Sequence, residues 1–203
     1  MLKKIACILA LSLSLVHPIK AQKDFKNGGD IFAKPATSEV CLLSAARMEE
    51  KYNIKNHLLE TILSVESGIY NHSTNRFEAW PWSVNVNGKG YRYDSKEEAI
   101  AAVENFQAQG YKSIDVGCMQ ISLKFHGDSF ASLQDAFDPD TNVEYAAQFL
   151  TKLYNKKGDW QKAAMAYHSK VLSHASSYKN RLLKRFEKIK IAFLDNGENT
   201  TLF

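Results

Sequence analysis

The amino-acid sequence predicts a mainly α-helical single domain into which one small β-hairpin is inserted. Several stretches place apolar residues at helical spacing, between residues that are typical of helix ends. Residues 82–93 instead alternate around Asn87-Gly88, a sequence typical of a tight β-turn. Hydrophobic residues make up 45% of the 203-residue chain, which is enough for a hydrophobic core. The length fits one domain with or without tails.

The first 21 residues have the pattern of a secretory signal. Lys3 and Lys4 come before an apolar run over residues 5–16, and the small residue Ala21 ends the segment. A membrane anchor needs about 20 apolar residues, and this run is shorter. We therefore expect cleavage after Ala21 and no stable membrane anchor afterwards. The alternatives are a buried N-terminal strand or a single membrane anchor.

Most of the net positive charge belongs to this predicted signal. The formal net charge is +4, and Lys3, Lys4 and Lys20 account for three of these charges. The remaining charge of +1 does not indicate a basic surface of the kind that binds phosphate backbones. A nucleic-acid partner is therefore not expected.

The chain after the signal is predicted to consist of a flexible lead-in, one domain and a polar tail. The lead-in, residues 22–37, contains two adjacent glycines and a proline, and the tail is residues 195–203. Apolar residues at helical spacing predict the helices of the domain, residues 38–194. The approximate limits of these helices are 38–52, 57–67, 95–110, 140–157, 160–167 and 176–194.

Polar residues and glycines mark the ends of these helices. Asn56 and Ser95 are expected N-caps, and Ser95 with Glu98 has the spacing of a capping box. Gly68 is expected to end the second helix in the left-handed conformation. Residues 111–127 have neither a helical nor a strand period, so we predict an irregular segment there.

Glu66 is the most informative residue of the sequence. Its position on the second helix matches the apolar face formed by Leu59, Ile62, Leu63 and Ile69. Burial and the carbonyl end of the helix both disfavour a negative charge there. A neutral carboxyl can donate a proton to a leaving oxygen, the general-acid role in glycoside cleavage. The alternative is a glutamate at the edge of the apolar face that reaches solvent.

Aromatic residues are concentrated around the predicted hairpin. Residues 70–93 contain six of them in 24 positions, about twice the 11% of the whole chain. Flat rings can stack on the apolar faces of sugars. We expect Trp80, Trp82 or both to face a ligand. The alternative is a small core under the hairpin, which some of the rings must form.

Several other kinds of site are not indicated. The histidines outside the predicted signal have no metal-binding spacing, so neither a metal site nor a cofactor is expected. The motifs of P-loop, dinucleotide-binding and serine-hydrolase sites are absent from the sequence. Outside the signal there are two cysteines, Cys41 and Cys118. An even number suggests one disulfide in an oxidising compartment, and two separate buried thiols are the alternative.

Four segments, read in order, resemble the soluble lytic transglycosylase family, the lysozyme-like enzymes of bacterial peptidoglycan. The resemblance covers about residues 41–186. The segments are 58–68 with Glu66-Ser67-Gly68, 115–122 with Gly117-Cys118-Met119-Gln120, 142–154, and 164–169 with Ala166-Tyr167-His168. The sequence is most similar to a secreted proteobacterial branch with a Pro-Trp-x-Val-Asn hairpin, here Pro81 to Asn85.

The resemblance implies a lysozyme-like fold and a role for each matching residue. Glu66 would be the single catalytic acid and base. In the branch, a cysteine of the first helix and one of the Met-Gln loop occur together, which implies a disulfide between Cys41 and Cys118. Cys118 and His168 differ from the usual Leu and Asn of the family. The residues implied to line the cleft or contact substrate are Ser67, Met119, Gln120, Tyr167 and His168.

The resemblance also implies the reaction and the location. Peptidoglycan strands would be cleaved between N-acetylmuramic acid and N-acetylglucosamine, giving a 1,6-anhydro sugar without a second carboxylate. One alternative is a lysozyme-type hydrolase with Asp115 as the partner of Glu66, since Glu60 is rotated by about 240° on the helix. Another is a catalytically silent peptidoglycan-binding subunit. We expect a periplasmic monomer, with envelope-spanning machinery as a possible partner.

Overall fold

The computed structural model describes residue 37 and residues 39–72, 76–168 and 172–194. The predicted signal, residues 1–21, and the predicted tail, residues 195–203, lie outside the described residues. The predicted lead-in also lies outside them, apart from Thr37.

The described chain contains eight α-helices, one short 3₁₀-helix and six strands. The α-helices are α1 Glu39–Tyr52, α2 Leu58–Glu66, α3 Lys96–Ala108, α4 Leu123–His126, α5 Leu133–Ala136, α6 Pro139–Lys157, α7 Trp160–His168 and α8 Leu172–Leu194. The strands are β1 Gly68–Asn71, β2 Arg76–Ala79, β3 Ser83–Val86, β4 Lys89–Arg92, β5 Ile114–Val116 and β6 Ile121–Ser122, and the 3₁₀-helix is Gly127–Ser129. The mainly α-helical class predicted from the sequence is confirmed.

The predicted hairpin is confirmed as strands β3 and β4. The two strands are antiparallel, and Val86 pairs with Lys89 across a two-residue turn. Asn87 and Gly88 both have positive φ, 49° and 87°, as the tight turn requires. The side chain of Asn85 accepts a hydrogen bond from the Gly88 N–H at 2.9 Å, which further fixes the turn.

The strands outside this hairpin are absent from the sequence prediction. The segment 111–127 was predicted to be irregular, and this prediction is wrong for β5, β6 and the short helix α4. Strands β5 and β6 extend the hairpin into a four-stranded sheet of order β4-β3-β5-β6. A separate two-stranded sheet joins β1 to β2. These strands are short, three or two residues in β5 and β6. Their pairing partners rather than their own pattern therefore make them strands.

The start of α2 also differs from the prediction. Asn56 was expected to be the N-cap, but α2 begins at Leu58, and both Asn56 and His57 have left-handed backbone conformations. The cap comes from α1 instead. The carboxylate of Glu49 accepts hydrogen bonds from the N–H groups of Leu59, at 2.7 Å, and Glu60, at 3.1 Å. A carboxylate from a neighbouring helix thus satisfies the free donors of the first turn.

The start of α3 agrees with the sequence prediction, whereas the start of α8 does not. The Ser95 hydroxyl accepts from the Glu98 N–H at 3.2 Å, as expected of the predicted cap. The Glu98 carboxylate returns to the Asp94 N–H, one residue earlier than in a standard capping box. Helix α8 begins at Leu172, four residues before the predicted start.

Two hydrophobic clusters form the core. The larger cluster packs α1, α2, α6, α7 and α8 together, and Leu59, Ile62 and Leu150 are fully buried in it. The smaller cluster lies between the four-stranded sheet and α3, with Val103 and Val116 fully buried. The loop between β5 and β6 joins the two clusters, because its Cys118 and Met119 belong to the larger one.

A disulfide connects Cys41 in α1 to Cys118 in this loop, as the resemblance implies, with the two Cα atoms 5.7 Å apart. It closes a chain segment of 77 residues, for which loop-closure entropy predicts a stabilisation of about 4 kcal/mol. Within the described parts of the chain, no helix is both long and apolar enough to cross a membrane.

Candidate active site

Glu66 is the last residue of α2, at the end of the buried face that carries Leu59, Ile62 and Leu63. Its side chain is 13% exposed. The Oε1 atom is buried and has no hydrogen-bond partner among the described residues. A buried carboxyl oxygen without a partner is energetically costly, so such an atom calls for a functional explanation.

The residues after Glu66 hold the end of α2 in place. The Ser67 hydroxyl donates a 2.6 Å hydrogen bond to the Cys118 carbonyl oxygen. The Ser67 carbonyl oxygen accepts from the Arg92 guanidinium at 2.5 Å. Gly68 follows as the first residue of β1, so the prediction that it ends α2 in the left-handed conformation is wrong. Glycine is required there because a Cβ atom would lie 2.3 Å from the Ser64 carbonyl oxygen.

The loop of residues 117–120 is built around the buried side chain of Asn142. The Asn142 amide donates to the carbonyl oxygens of Val116, at 3.2 Å, and Ala136, at 2.8 Å. Its Oδ1 accepts from the Met119 N–H at 2.9 Å. Gly117 has a φ of 80°, and a Cβ there would lie 2.4 Å from the Asn142 amide nitrogen. The loop therefore requires glycine and asparagine as a pair.

Sequence reasoning did not identify Asn142 as part of the site. The sequence feature that could have identified Asn142 is its place on the apolar face of α6, one helical turn before Ala146. A polar residue on such a face is informative because it must find partners inside the protein.

The structure places Met119 and Gln120 in this loop in different surroundings. The Met119 side chain is fully buried in the larger core cluster. Gln120 is partly exposed and has a left-handed φ of 48°. Its side-chain amide donates to the carbonyl oxygens of Gly117, at 3.0 Å, and Ser83, at 3.3 Å. Gln120 therefore links the loop to β3.

Two tyrosines lie close to Glu66. The Tyr167 hydroxyl donates to the Met119 carbonyl oxygen at 3.1 Å. Burial raises the pKa of Tyr167 well above its usual value, and the charge of Glu66 raises it further. Burial and then Glu66 raise the pKa of Tyr178 in the same way. Both hydroxyls therefore stay protonated at neutral pH and surround the carboxyl with neutral groups.

Tyr178 was not predicted as a site residue. It is fully buried in α8, and its hydroxyl lies beside the Glu66 carboxyl but makes no hydrogen bond of standard distance and angle in the described part of the chain. The sequence feature that could have identified Tyr178 is its helical spacing with Leu182 and Phe186, which are also buried. A tyrosine on a buried face carries a hydroxyl that needs a polar neighbour, and here Glu66 is that neighbour.

His168 ends α7 and also lies close to Glu66. Its Nδ1 atom lies 3.6 Å from Oε1 of Glu66. The imidazole ring stacks on the Tyr178 ring, with centroids 4.2 Å apart and planes within 2° of parallel. The Arg181 guanidinium lies 3.4 Å from Nε2. His168, one of the two residues that depart from the family pattern, therefore lies next to Glu66.

Asp115, on β5, shares the electrostatic environment of Glu66. Burial raises the pKa of Asp115, a hydrogen bond from Ser122 opposes this change, and the charge of Glu66 adds to it. His168 lowers the same pKa to a smaller extent. Glu60 lies elsewhere, with its Oε2 atom 3.5 Å from Nδ1 of His57 at the start of α2. Of these two acids, Asp115 is the one whose pKa is raised by the charge of Glu66.

The two predicted tryptophans pack within the hairpin region. Trp80 and Trp82 are partly buried and meet edge to face at 6.0 Å between ring centroids. The Trp80 indole N–H donates to the Tyr93 carbonyl oxygen at 2.7 Å. Trp82 packs against the smaller core cluster. The packing of Trp82 matches the hairpin-core alternative, and both residues are partly exposed.

The structure thus brings together six of the predicted site residues, through the bonds and contacts described above. They are Glu66, Ser67, Met119, Gln120, Tyr167 and His168. The geometry suits proton transfer to and from one carboxyl group. Among the described residues, no group of three or more histidine, cysteine, aspartate or glutamate side chains is arranged to hold a metal ion.

One kind of comparison with known proteins gives a match. No curated protein and no solved structure matches the chain. The family model described as the transglycosylase SLT domain matches residues 44–184, which include α2, the loop of residues 117–120 and α7. The match supports the lysozyme-like form of the helical fold and a transglycosylase that acts on peptidoglycan. The chain belongs to the transglycosylase SLT domain family.

Proposed function

We propose that the protein is a lytic transglycosylase that cleaves peptidoglycan strands between N-acetylmuramic acid and N-acetylglucosamine. The product would carry a 1,6-anhydro-N-acetylmuramic acid end. Family membership supports the substrate class. The observation that carries the mechanism is the Oε1 atom of Glu66, which is buried without a hydrogen-bond partner in the described residues.

Glu66 acts first as an acid and then as a base. Glu66 donates its proton to the glycosidic oxygen while the bond between that oxygen and C1 of N-acetylmuramic acid breaks. The N-acetyl group of the same sugar stabilises C1. The Glu66 carboxylate then removes the proton of the C6 hydroxyl, and O6 forms the new bond to C1. Glu66 ends the cycle protonated, as it began. The groups that stabilise or attack C1, the N-acetyl group and then O6, belong to the bound sugar itself, so positioning supplies much of the rate.

The remaining residues position the sugar and Glu66. Gln120 is the partly exposed last residue of the loop of residues 117–120, and we assign it to substrate contact. The carbonyl oxygen and backbone of Met119 hold Tyr167, whose neutral hydroxyl limits the charge near Glu66. Ser67 acts through the bond to Cys118 that fixes the end of α2. The exposed parts of Trp80 and Trp82 offer apolar surface to a sugar face.

A lysozyme-type hydrolase is the second candidate function, and Asp115 is the observation that favours it. Its electrostatic coupling to Glu66 shows that a second carboxyl lies within interaction range. In a hydrolase, Asp115 would serve as nucleophile or activate water, and the product would have a reducing end. In a transglycosylase, Asp115 is not required for the chemical steps.

Product analysis separates these functions. The chain lacking residues 1–21 is incubated with purified sacculi, and the released muropeptides are identified by mass spectrometry. Anhydro-muropeptides, which lack one water relative to reducing-end products, support the transglycosylase. Reducing ends support the hydrolase. Binding to sacculi without any release would support the catalytically silent subunit.

The location and partners form part of the same proposal. The signal pattern of residues 1–21 supports export to the periplasm, where peptidoglycan lies. We propose a monomer that acts on glycan strands, with envelope-spanning machinery as a further partner. Cell fractionation of the full chain tests the location, and light scattering of the mature chain tests the oligomeric state.

A further inference from the structure

We propose that His168 is a positioning residue, which Arg181 holds in one tautomer so that its Nδ1–H points at Oε1 of Glu66. This arrangement would determine which oxygen of Glu66 carries the catalytic proton. The inference rests on the proposed function, because it assigns a role within that reaction. Three groups on three helices carry it: Glu66 on α2, His168 on α7 and Arg181 on α8.

Arg181 determines the tautomer. Its guanidinium lies 3.4 Å from Nε2 of His168. A guanidinium has only hydrogen-bond donors, so Nε2 must be the acceptor and carry no proton. In a neutral imidazole the proton is then on Nδ1. Arg181 thus selects the form of His168 that has its N–H group on the side of Glu66.

The selected N–H group faces an oxygen that needs a donor. Nδ1 lies 3.6 Å from Oε1 of Glu66, slightly beyond hydrogen-bond distance. Oε1 is buried and makes no hydrogen bond of standard distance and angle with a described residue, and the Tyr178 hydroxyl is a second neighbouring donor of the Glu66 carboxyl. Catalytic hydrogen bonds are often long in a free enzyme and shorten when substrate binds. With Oε1 accepting from His168, the carboxyl proton is placed on Oε2.

The surroundings of His168 prevent its ring from turning over. The ring lies flat on Tyr178, and Arg181 also lies over the Tyr178 ring, at 5.5 Å from its centroid. A flip would replace both ring nitrogens by carbon atoms and lose the contacts to Glu66 and Arg181. The charged group of β5 that acts on His168 is Asp115.

The arrangement predicts a loss of turnover rather than of binding when the N–H group is removed. In the first step Oε2 gives up the proton, and the Nδ1–H then stabilises the charge left on the carboxylate. A hydrogen bond to a charged group corresponds to roughly 10- to 100-fold in rate. The sugar itself does not contact Oε1 in this scheme, so KM stays nearly constant.

Two variants of His168 separate the N–H group from the stacked ring. H168F keeps a flat ring against Tyr178 and has no donor, and we expect kcat to fall about 10- to 100-fold with little change in KM. H168N has a side-chain N–H that can face Glu66 and a carbonyl oxygen that can face Arg181, and we expect it to recover most of the kcat. An H168F protein with the kcat of the wild type would overturn the proposal.

Nitrogen-15 NMR of the histidine rings tests the tautomer without any substrate. We expect His168 to show protonated Nδ1 and unprotonated Nε2 in the wild type, and a mixture in R181M. K184M is the matched control, because it removes an exposed cation from the same helix and should leave the His168 signals unchanged. A wild-type His168 protonated on Nε2 overturns the proposal. If His168 is protonated on Nδ1 but the digestion of sacculi gives reducing-end products, only the proposed transglycosylase reaction is contradicted.

Discussion

The hydroxyl of Ser67 donates a 2.6 Å hydrogen bond to the carbonyl oxygen of Cys118, and both residues are almost fully buried. This bond joins the residue after the candidate catalytic carboxyl to the loop that the disulfide attaches to α1. The end of α2 is therefore held in a fixed position relative to the loop of residues 117–120. The position of Glu66 depends on contacts that are remote from it in sequence.

Ser67→Ala removes this bond and leaves a buried carbonyl oxygen without its donor. We expect the free energy of unfolding to fall by about 1–3 kcal/mol, measured by urea denaturation. Ser177→Ala, at an exposed position of α8, is the matched control and should change stability by less than about 0.5 kcal/mol. Equal stability of the two variants would show that the bond is not important in solution.

Glu66→Gln should lower turnover by roughly 10²- to 10⁴-fold, because the amide cannot donate and regain the proton. Asp115→Asn is the companion variant and should still form anhydro products if Asp115 is not a nucleophile. Both are assayed on sacculi with mass spectrometry, and circular dichroism checks the fold. Appreciable turnover by the E66Q protein would refute the assignment of Glu66.

Gly68→Ala should destabilise the protein, because the added Cβ would lie 2.3 Å from the Ser64 carbonyl oxygen, an atom of the helix backbone that cannot move easily. We expect the free energy of unfolding to fall by at least about 1–3 kcal/mol and Glu66 to be displaced. Gly90→Ala is the control, since a Cβ there meets nothing within 4 Å. Thermal unfolding of the two variants compares them directly, and similar melting temperatures would contradict the predicted contact.

Reduction of the Cys41–Cys118 disulfide should lower the free energy of unfolding by about 2–4 kcal/mol. The effect is measured by denaturant unfolding with and without a reductant. The C41S/C118S double variant should have the stability of the reduced protein and should not respond to the reductant. Activity should fall together with stability, since the bridge holds the loop that contacts Ser67 and Tyr167.

Stability should depend on pH through Glu49. Burial raises the pKa of Glu49 from 4.5 to about 7, although its hydrogen bonds to the first turn of α2 oppose the rise. The folded protein therefore binds more protons than the unfolded chain between these values. As pH rises from about 4.5 to 7, this group costs stability, at most about 3 kcal/mol, and above pH 7 the cost is constant.

Glu49→Gln tests this dependence. The Gln side-chain oxygen can still accept from the N–H groups of Leu59 and Glu60, but it carries no charge to bury. We expect E49Q to be more stable than the wild type at pH 8 and to show a flatter pH profile between pH 4.5 and 7. The measurement is the urea midpoint at several pH values. A profile that is unchanged in E49Q would show that another group is responsible.

The six longer helices and the hairpin turn were predictable because they depend on local chemistry, whereas the short helices α4 and α5 were not predicted. The apolar face of α2, the cap at Ser95 and the Asn87-Gly88 turn each act within a few residues of chain. The family was predictable as well, since its motifs are ordered along the sequence, and the match over residues 44–184 confirms it. The prediction of the cap of α2 was wrong, because the cap is the carboxylate of Glu49, a residue of another helix.

By itself, the sequence determined the helical class, the family and the single carboxyl on an apolar face. The tertiary structure decided which groups surround that carboxyl: Tyr178 and Arg181 from α8, and the loop that Asn142 holds. Strands β5 and β6 were likewise decided by pairing with distant segments. The physical reason is the same in each case. Spacing along the chain reports which face of an element is apolar, whereas contacts between elements depend on how those faces pack.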